Sequence, residues 1–377
     1  MGTRRNNNEG SIVKRADGRW MTRLTLDDGT RKTWYAKTRQ EAAQLLKAAI
    51  RDRDNGLPVV TVSQSVGEYL ESWLQATKHS IKPRTWRRRG EYIRLHAIPA
   101  IGNVPLIKLN AQHLQALYTQ KLDERLSPTT VHHLHAVLHR ALNAAMRLGL
   151  VQRNVTELVD APRMARREME TFSPDEARRF LAAAKRERFE ALYVLALSTG
   201  MRQGELLALR WRDVDLEAST LRVTATLQYT PDGYVFAEPK TSYSRRLVAL
   251  SPIAVDALRQ HKARQEEERA RVGSAWHDLD LVFPNTIGKP MDGIHLLQRE
   301  YLPLLERAGL RRIRFHDLRH TAATLLLASG IHPKVVSEML GHADVVITLK
   351  LYSHVLPHMQ REAAAAMEAT LRGNDSD

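Results

Sequence analysis

Near the C-terminal end of the chain, three short boxes follow one another: His316-Asp317-Leu318-Arg319-His320, Leu340-Gly341-His342 and Leu351-Tyr352-Ser353-His354. Well upstream, Thr199-Gly200-Met201-Arg202-Gln203-Gly204-Glu205-Leu206 adds a second arginine. Two fixed guanidinium forks, imidazoles that can move protons and a phenol that can attack are what nucleophilic substitution at a phosphodiester needs. There the two non-bridging oxygens carry the transition-state charge. Arginine suits the clamp because its planar fork binds two oxygens and stays protonated. A phenol with an ordinary pKa of about 10 must lose its proton and the departing sugar oxygen must gain one. Histidine and lysine fit those duties.

Each box alone has a second reading. Thr-Gly-x-Arg also fits an ordinary loop entering a helix. His316 and His320, at i and i+4, fit a zinc pair, although the Glu of His-Glu-x-x-His is missing. Tyr352 also fits a core aromatic, and Lys240 a solvated hairpin lysine. Their joint occurrence in this order favours phosphodiester chemistry.

The 377 residues leave room for two or three domains, each with its own core. A formal net charge of +15 and a pI near 10.1 favour a polyanionic partner, because each neutralised phosphate releases condensed counterions. Nucleic acid is preferred to an anionic membrane surface, since no segment reads as a basic amphipathic helix with a Trp/Phe/Leu face. Cysteine is absent, which removes disulfides, thiol nucleophiles and every Cys-containing zinc pattern. No apolar run approaches the roughly 18 residues of a membrane span, and the polar residues 1–9 do not read as a signal peptide. The expected setting is cytoplasmic or nucleoid-associated.

The elements that must position these groups fall into three blocks. Residues 10–36 predict three short strands, with tight turns at Ala16-Asp17-Gly18 and Asp27-Asp28-Gly29, and Trp20, Thr22, Leu24 and Leu26 on one face. Thr38 with Glu41 makes a capping box for a helix through Ala42, Leu45, Leu46 and Ile50 that would cover that face. The block ends near Asp54-Asn55-Gly56-Leu57-Pro58. Lys14, Arg15, Arg19, Arg23, Arg31 and Lys32 surround the sheet, a placement suited to a DNA groove; a plain terminal domain is the alternative.

Residues 61–160 are helical by period. Val66, Tyr69, Leu70, Trp73 and Leu74 form one apolar stripe, and Ser127 caps a helix whose buried side runs through Val131, Leu134, Leu138, Leu142 and Met146. Within Lys82-Pro83-Arg84-Thr85-Trp86-Arg87-Arg88-Arg89, the cations Lys82, Arg84, Arg87 and Arg88 either reach phosphates and base edges or form a solvated basic face. Residues 161–170 read as a linker. Ser173-Pro174-Asp175-Glu176 then opens a new helix and a third domain near Thr171. Inside it, residues 221–228 and 246–250 are β-like, around a turn at Pro231-Asp232-Gly233 and a polar Lys240-Thr241-Ser242. The rest is mainly helix through residues 362–371, where Ala363, Ala366, Met367 and Thr370 make an apolar stripe. The expected fold is multidomain α+β: a small three-stranded sheet plus helix over 1–56, a helical domain over 61–160, and a mainly α domain with a small β-sheet over 171–377.

Taken together, the boxes resemble the tyrosine recombinase (phage integrase) family, and the resemblance covers nearly the whole chain. The family's Thr-Gly-x-Arg-x-x-Glu-Leu is matched by Thr199 through Leu206. Its hairpin lysine is matched by Pro239-Lys240-Thr241, its His-x-x-Arg-His box by His316 through His320, its Leu-Gly-His box by Leu340 through His342, and its nucleophile by Tyr352. The resemblance implies that Arg202 and Arg319 clamp the phosphate and that Lys240 is the general acid to the leaving 5′ oxygen. It makes His316 an acid-base group, His342 a donor to the phosphate and Tyr352 the nucleophile, with Glu205 and His320 orienting them. The middle block, including Pro99-Ala100-Ile101-Gly102 and Gly149-Leu150-Val151-Gln152-Arg153-Asn154, resembles the core-binding domain. Val155 stands where the family often has Pro, and Lys350-Leu351 stand where a smaller or polar pair is common.

By the same resemblance, Tyr352 takes a 3′ phosphate and frees a 5′ hydroxyl, with no ATP, metal or other cofactor. The partners implied are double-stranded DNA at attachment sites and further copies of the chain in a DNA-bound tetramer, with a directionality factor or a host DNA-bending protein as additional candidates. No membrane partner is implied. The first block resembles the arm-type DNA-binding domain of phage and conjugative-element integrases, which favours the integrase of a phage or other mobile element over a chromosome-type resolvase. A type IB topoisomerase, a non-catalytic DNA-binding regulator on the same fold and a zinc-dependent nuclease are the competing readings.

Overall fold

The computed structural model describes residues 10–27, 29–54, 64–164, 169–230, 233–238 and 245–351, with 364, 367, 368, 370 and 371. The chain divides into two compact units, Met1–Arg167 and Glu168–Asp377.

In the first unit, β1 (Ser11–Lys14), β2 (Trp20–Thr25) and β3 (Arg31–Ala36) form an antiparallel sheet in that order. Gly18 and Gly29 turn the chain with φ of 82° and 81°, the left-handed geometry their hairpins require. Helix α1 (Arg39–Asp54) starts at the predicted box: the Glu41 amide donates to Thr38 Oγ1 at 3.2 Å, and the Thr38 amide donates to Glu41 Oε2 at 3.2 Å. Thr22, Leu24 and Trp34 are buried on the face that α1 covers, with Ala42, Leu46 and Ala49 from the helix. Leu45, expected inside, is 38% exposed. The buried positions advance by four and three, so Leu45 falls on the rim of the stripe and Ala49 takes the place it was expected to fill.

The opposite face of the sheet carries the paired rows Ser11, Arg23, Thr33 and Val13, Met21, Tyr35. Arg15, Arg19 and Arg23 are all exposed. Arg19 is held by Asp17 through Nε at 3.0 Å and Nη2 at 2.8 Å, and both Arg15 and Arg19 lie over the Tyr35 ring. Lys14 is paired with Trp20 at the end of the sheet and is also exposed.

Beyond it come α2 (Val66–Ala76), α3 (Pro83–Tyr92), α4 (Ile98–Ile101), α5 (Ala111–Asp123) and α6 (Pro128–Arg147). All five residues of the predicted α2 stripe are buried. Trp86 Nε1 donates to the Leu74 carbonyl at 2.7 Å, pinning α3 to α2. Lys82, Arg84, Arg87 and Arg88 stay exposed, at the start and along the outer side of α3. On α6, Val131, Leu134, Leu138 and Leu142 are buried, but Met146 is 38% exposed and Ala145 is buried in its stead. Ala145 lies seven residues after Leu138, close to two full turns, whereas Met146 has rotated past the core.

The second unit contains α7 (Pro174–Ala184), α8 (Glu190–Thr199), α9 (Gln203–Leu207), β4 (Val214–Asp215), β5 (Thr220–Val223), β6 (Thr226–Thr230), β7 (Gly233–Ala237) and β8 (Arg246–Ala249). It continues through α10 (Pro252–Val272), α11 (Gly293–His295), α12 (Leu302–Arg307), α13 (Phe315–Ala328), α14 (Pro333–Leu340) and α15 (Val345–Leu351). The Ser173–Glu176 capping box opens α7 as expected. Residues 221–228, read as one β segment, are divided between two sheets, β4-β5-β8 and β6-β7. Leu221 and Val223 go into the core with Val248, while the backbone at Thr226 and Leu227 packs on α9. Gly204 permits that approach, since a Cβ there would lie 2.6 Å from Thr226 Oγ1. Among the described residues, no helix is long and apolar enough to cross a membrane.

Candidate active site

Helix α8 ends where the first arginine box begins, and each residue of the box has a local task. Thr199 Oγ1 donates to the Leu195 carbonyl at 2.6 Å and accepts from the Met201 amide at 3.3 Å. Gly200 reverses the chain at φ +62°; a Cβ there would also sit 2.4 Å from Leu340 Cδ2. Arg202 then caps α9: its amide donates to Glu205 Oε2 at 3.0 Å and its Nη1 to Oε1 at 2.7 Å.

Glu205 is 3% exposed, so its charge needs partners. The second is Arg246, which donates Nη2 to Glu205 Oε2 at 3.0 Å and Nε to the Met339 carbonyl at 2.6 Å. Burial alone would raise the Glu205 carboxyl; Arg246 and Arg202 outweigh it and hold the group below its ordinary range. Arg246 thus joins β8, α9 and the end of α14. The sequence reading missed it. Its one signal was an arginine opening a β-like stretch soon after the Lys240 segment.

The second box lies on α13, whose start is fixed by Asp317: Arg314 donates to it from its amide at 2.9 Å, from Nε at 3.0 Å and from Nη2 at 2.7 Å. Asp317 is buried, and its anchoring role was not foreseen. Two residues on, Arg319 is 3% exposed and donates Nη1 to the Gly200 carbonyl at 2.8 Å. The second arginine is therefore bonded to the turn that places the first. The His316 and His320 rings meet edge to face, with centroids 5.1 Å apart. The third box closes α14 at Gly341, φ 68°, after which the His342 amide donates to the Ser337 carbonyl at 3.0 Å. His342 Nδ1 lies 2.8 Å from Thr348 Oγ1.

Part of His316 stays open to solvent, yet the packing around its ring, followed by His320, Arg319 and Arg202, pushes its pKa down to about 4. Burial, then Arg319, Arg202, His320 and Arg246, pushes His342 down to about 4 as well. Burial is also the main cause that lowers His320. At neutral pH His316 and His342 are neutral, each with one nitrogen to donate and one to accept. Arg202, Glu205, His316, Arg319, His320 and His342 therefore share one electrostatic neighbourhood. Lys240 and Tyr352 lie outside the described residues, as do Ala363 and Ala366 of the tail stripe; Met367 is exposed. In the sequence, Lys240 falls between β7 and β8, and Tyr352 directly follows the last residue of α15. Among the described residues, no group of three or more His, Asp or Glu is arranged to hold a metal ion.

A histidine whose folded pKa lies below its unfolded value takes up a proton on unfolding, so its stabilisation is present above the unfolded value and is lost as pH falls. His261, 5% exposed and donating Nε2 to the Val282 carbonyl at 2.6 Å, is the clearest case, held at about 4 by burial against an ordinary 6.5. Stability is expected to fall through the window from 6.5 to 4, with His261 alone making the unit about 2 kcal/mol weaker at pH 5 than at pH 7. His316 and His342 act in the same direction. Denaturant melts at the two pH values check this; equal midpoints would contradict it.

The model of the phage integrase family matches residues 170–359, and that of the phage integrase N-terminal SAM-like domain matches residues 65–123. A tyrosine recombinase XerC-like protein of Caldanaerobacter subterraneus subsp. tengcongensis is 31% identical, over 89% of this chain and 91% of its own. An integrase of Saccharopolyspora erythraea is 28% identical over 99% of both chains. Among solved structures, a Tn1549 transposon integrase fragment in complex with transposon right end DNA shares the fold, with a TM-score of 0.67 at 20% identity over 80% of this chain and 99% of that one. The chain belongs to the phage integrase family and is a site-specific tyrosine recombinase.

Proposed function

We propose that this recombinase is the integrase of a phage or other mobile element and that Tyr352 is its nucleophile. Tyr352 Oη attacks the scissile phosphorus, the bond to the 5′ oxygen breaks, and a 3′-phosphotyrosine forms. Arg202 and Arg319 bind the non-bridging oxygens. Lys240 protonates the leaving 5′ oxygen, His316 moves the proton at the nucleophile's side, and His342 donates to the phosphate. A 5′ hydroxyl from the partner duplex then attacks the phosphotyrosine and restores the phenol, so no external energy source enters the balance. The bond from Arg319 to the Gly200 carbonyl carries this reading, because it builds both arginines into one clamp before any substrate arrives.

Three domains follow from the same reading: an arm-binding unit over 1–56, a core-binding unit over 61–160 and the catalytic domain over 171–377. Arg23 on the open face of the sheet, with Lys14, Arg15 and Arg19 at its edge, contacts arm-site DNA; Lys82, Arg84, Arg87 and Arg88 contact the core site. A lambda integrase has been solved as a tetramer bound to a Holliday junction, with a TM-score of 0.57 to this chain at 18% identity. For this chain a DNA-bound tetramer in the host cytoplasm is the proposed working form, with a directionality factor or host DNA-bending protein as auxiliary partners. Deleting residues 1–56 is expected to abolish binding to distal arm sites while sparing cleavage of an isolated core duplex, measured by gel shift and strand cleavage in parallel. Loss of both activities together would contradict the separation of arm binding from catalysis.

A further inference from the structure

His342 can serve as a donor to the phosphate only if its single proton sits on the nitrogen that faces the substrate. The ring is neutral at pH 7 because it is half-buried among Arg319, Arg202, His320 and Arg246, whose charges and dipoles disfavour an imidazolium. A neutral imidazole has one N–H and one lone pair, and the partner of the first nitrogen decides which end donates. Here that partner is the hydroxyl of Thr348, 2.8 Å from Nδ1.

Thr348 is fully buried on α15, where Asp344 Oδ1 accepts from the Val346 amide at 2.8 Å and holds the first turn in place. We infer that the Thr348 hydroxyl donates to His342 Nδ1, fixes the proton on Nε2, and thereby acts as a positioning residue of the recombination site. The inference rests on the proposed role of His342 as a phosphate donor. The opposite arrangement, with Nδ1–H donating to the hydroxyl, would turn the Nε2 lone pair toward the phosphate oxygens and replace a hydrogen bond by repulsion. Thr348 precedes Tyr352 by four positions in the sequence, on the helix that leads to it. One hydrogen bond therefore ties the donor to the segment that delivers the nucleophile, so a shift of α15 disturbs both.

The test uses the full chain, first without DNA and then on a nicked duplex carrying the core sequence from the junction between the element and its host chromosome. In nitrogen-15 histidine spectra at pH 7, His342, assigned by the signal lost in His342→Gln, should show a protonated Nε2 and an unprotonated Nδ1. Thr348→Val keeps the branched shape without the hydroxyl; it should change the Nδ1 signal and slow single-turnover cleavage about tenfold with DNA affinity unchanged. Thr348→Ser, which restores the hydroxyl, should return both the signal and most of the rate. A proton on Nδ1 in the wild-type spectrum would overturn the inference. So would wild-type cleavage by Thr348→Val in an assay where His342→Ala is slow. A His342→Ala variant that cleaves normally would instead remove the role of His342, and the inference with it.

Discussion

Tyr352→Phe is expected to abolish the covalent protein–DNA adduct while leaving core-site affinity within a few-fold. The substitution deletes the attacking oxygen and keeps the ring, so the core-site contacts proposed for α3 have no reason to change. Denaturing gels of a nicked core-site duplex read the adduct, and gel shifts read the affinity. Undiminished adduct would mean that another group attacks.

Arg319→Ala should slow cleavage by about a hundredfold or more, the size expected for losing one preorganised donor in a water-poor site. It also leaves the Gly200 carbonyl without its Nη1 donor and loosens the turn that places Arg202. Arg319→Lys separates the two effects: it keeps the charge but not the planar fork, so its cleavage should remain well below wild type although its folding is closer to normal. Arg202→Ala should produce a loss of similar order, with Glu205 still held by Arg246. A mild effect from both alanine variants would place the phosphate clamp elsewhere.

Much of this site was legible because its residues are constrained locally. Gly200 is needed for a positive φ and a close approach, Arg202 caps the helix that Glu205 anchors, and His316, Arg319 and His320 share a single helix. The capping boxes at Thr38 and Ser173 were readable for the same reason: each is closed within four residues. Contacts between distant segments were not readable. Arg246 finds Glu205 forty-one residues upstream and Met339 ninety-three downstream, and nothing in its immediate neighbours marks it as a buried cation. The break after Val223 was hidden because residues 221–228 keep a β-like composition although β5 pairs with β4 and β8 while β6 pairs with β7 and packs on α9. Leu45 and Met146 show the remaining limit: at the rim of a helical stripe, periodicity cannot decide between core and solvent.

The most direct test is chemical identification of the protein–DNA bond. The full chain is incubated with a nicked core-site duplex in excess EDTA, the adduct is isolated and digested, and the nucleotide-bearing peptide is sequenced by mass spectrometry. The expected product is a 3′ phosphate on the oxygen of Tyr352, with a free 5′ hydroxyl on the released strand. Attachment at another residue, a 5′ linkage, or cleavage that stops in EDTA and returns with zinc would contradict a tyrosine mechanism built on Arg202, Arg319 and Tyr352.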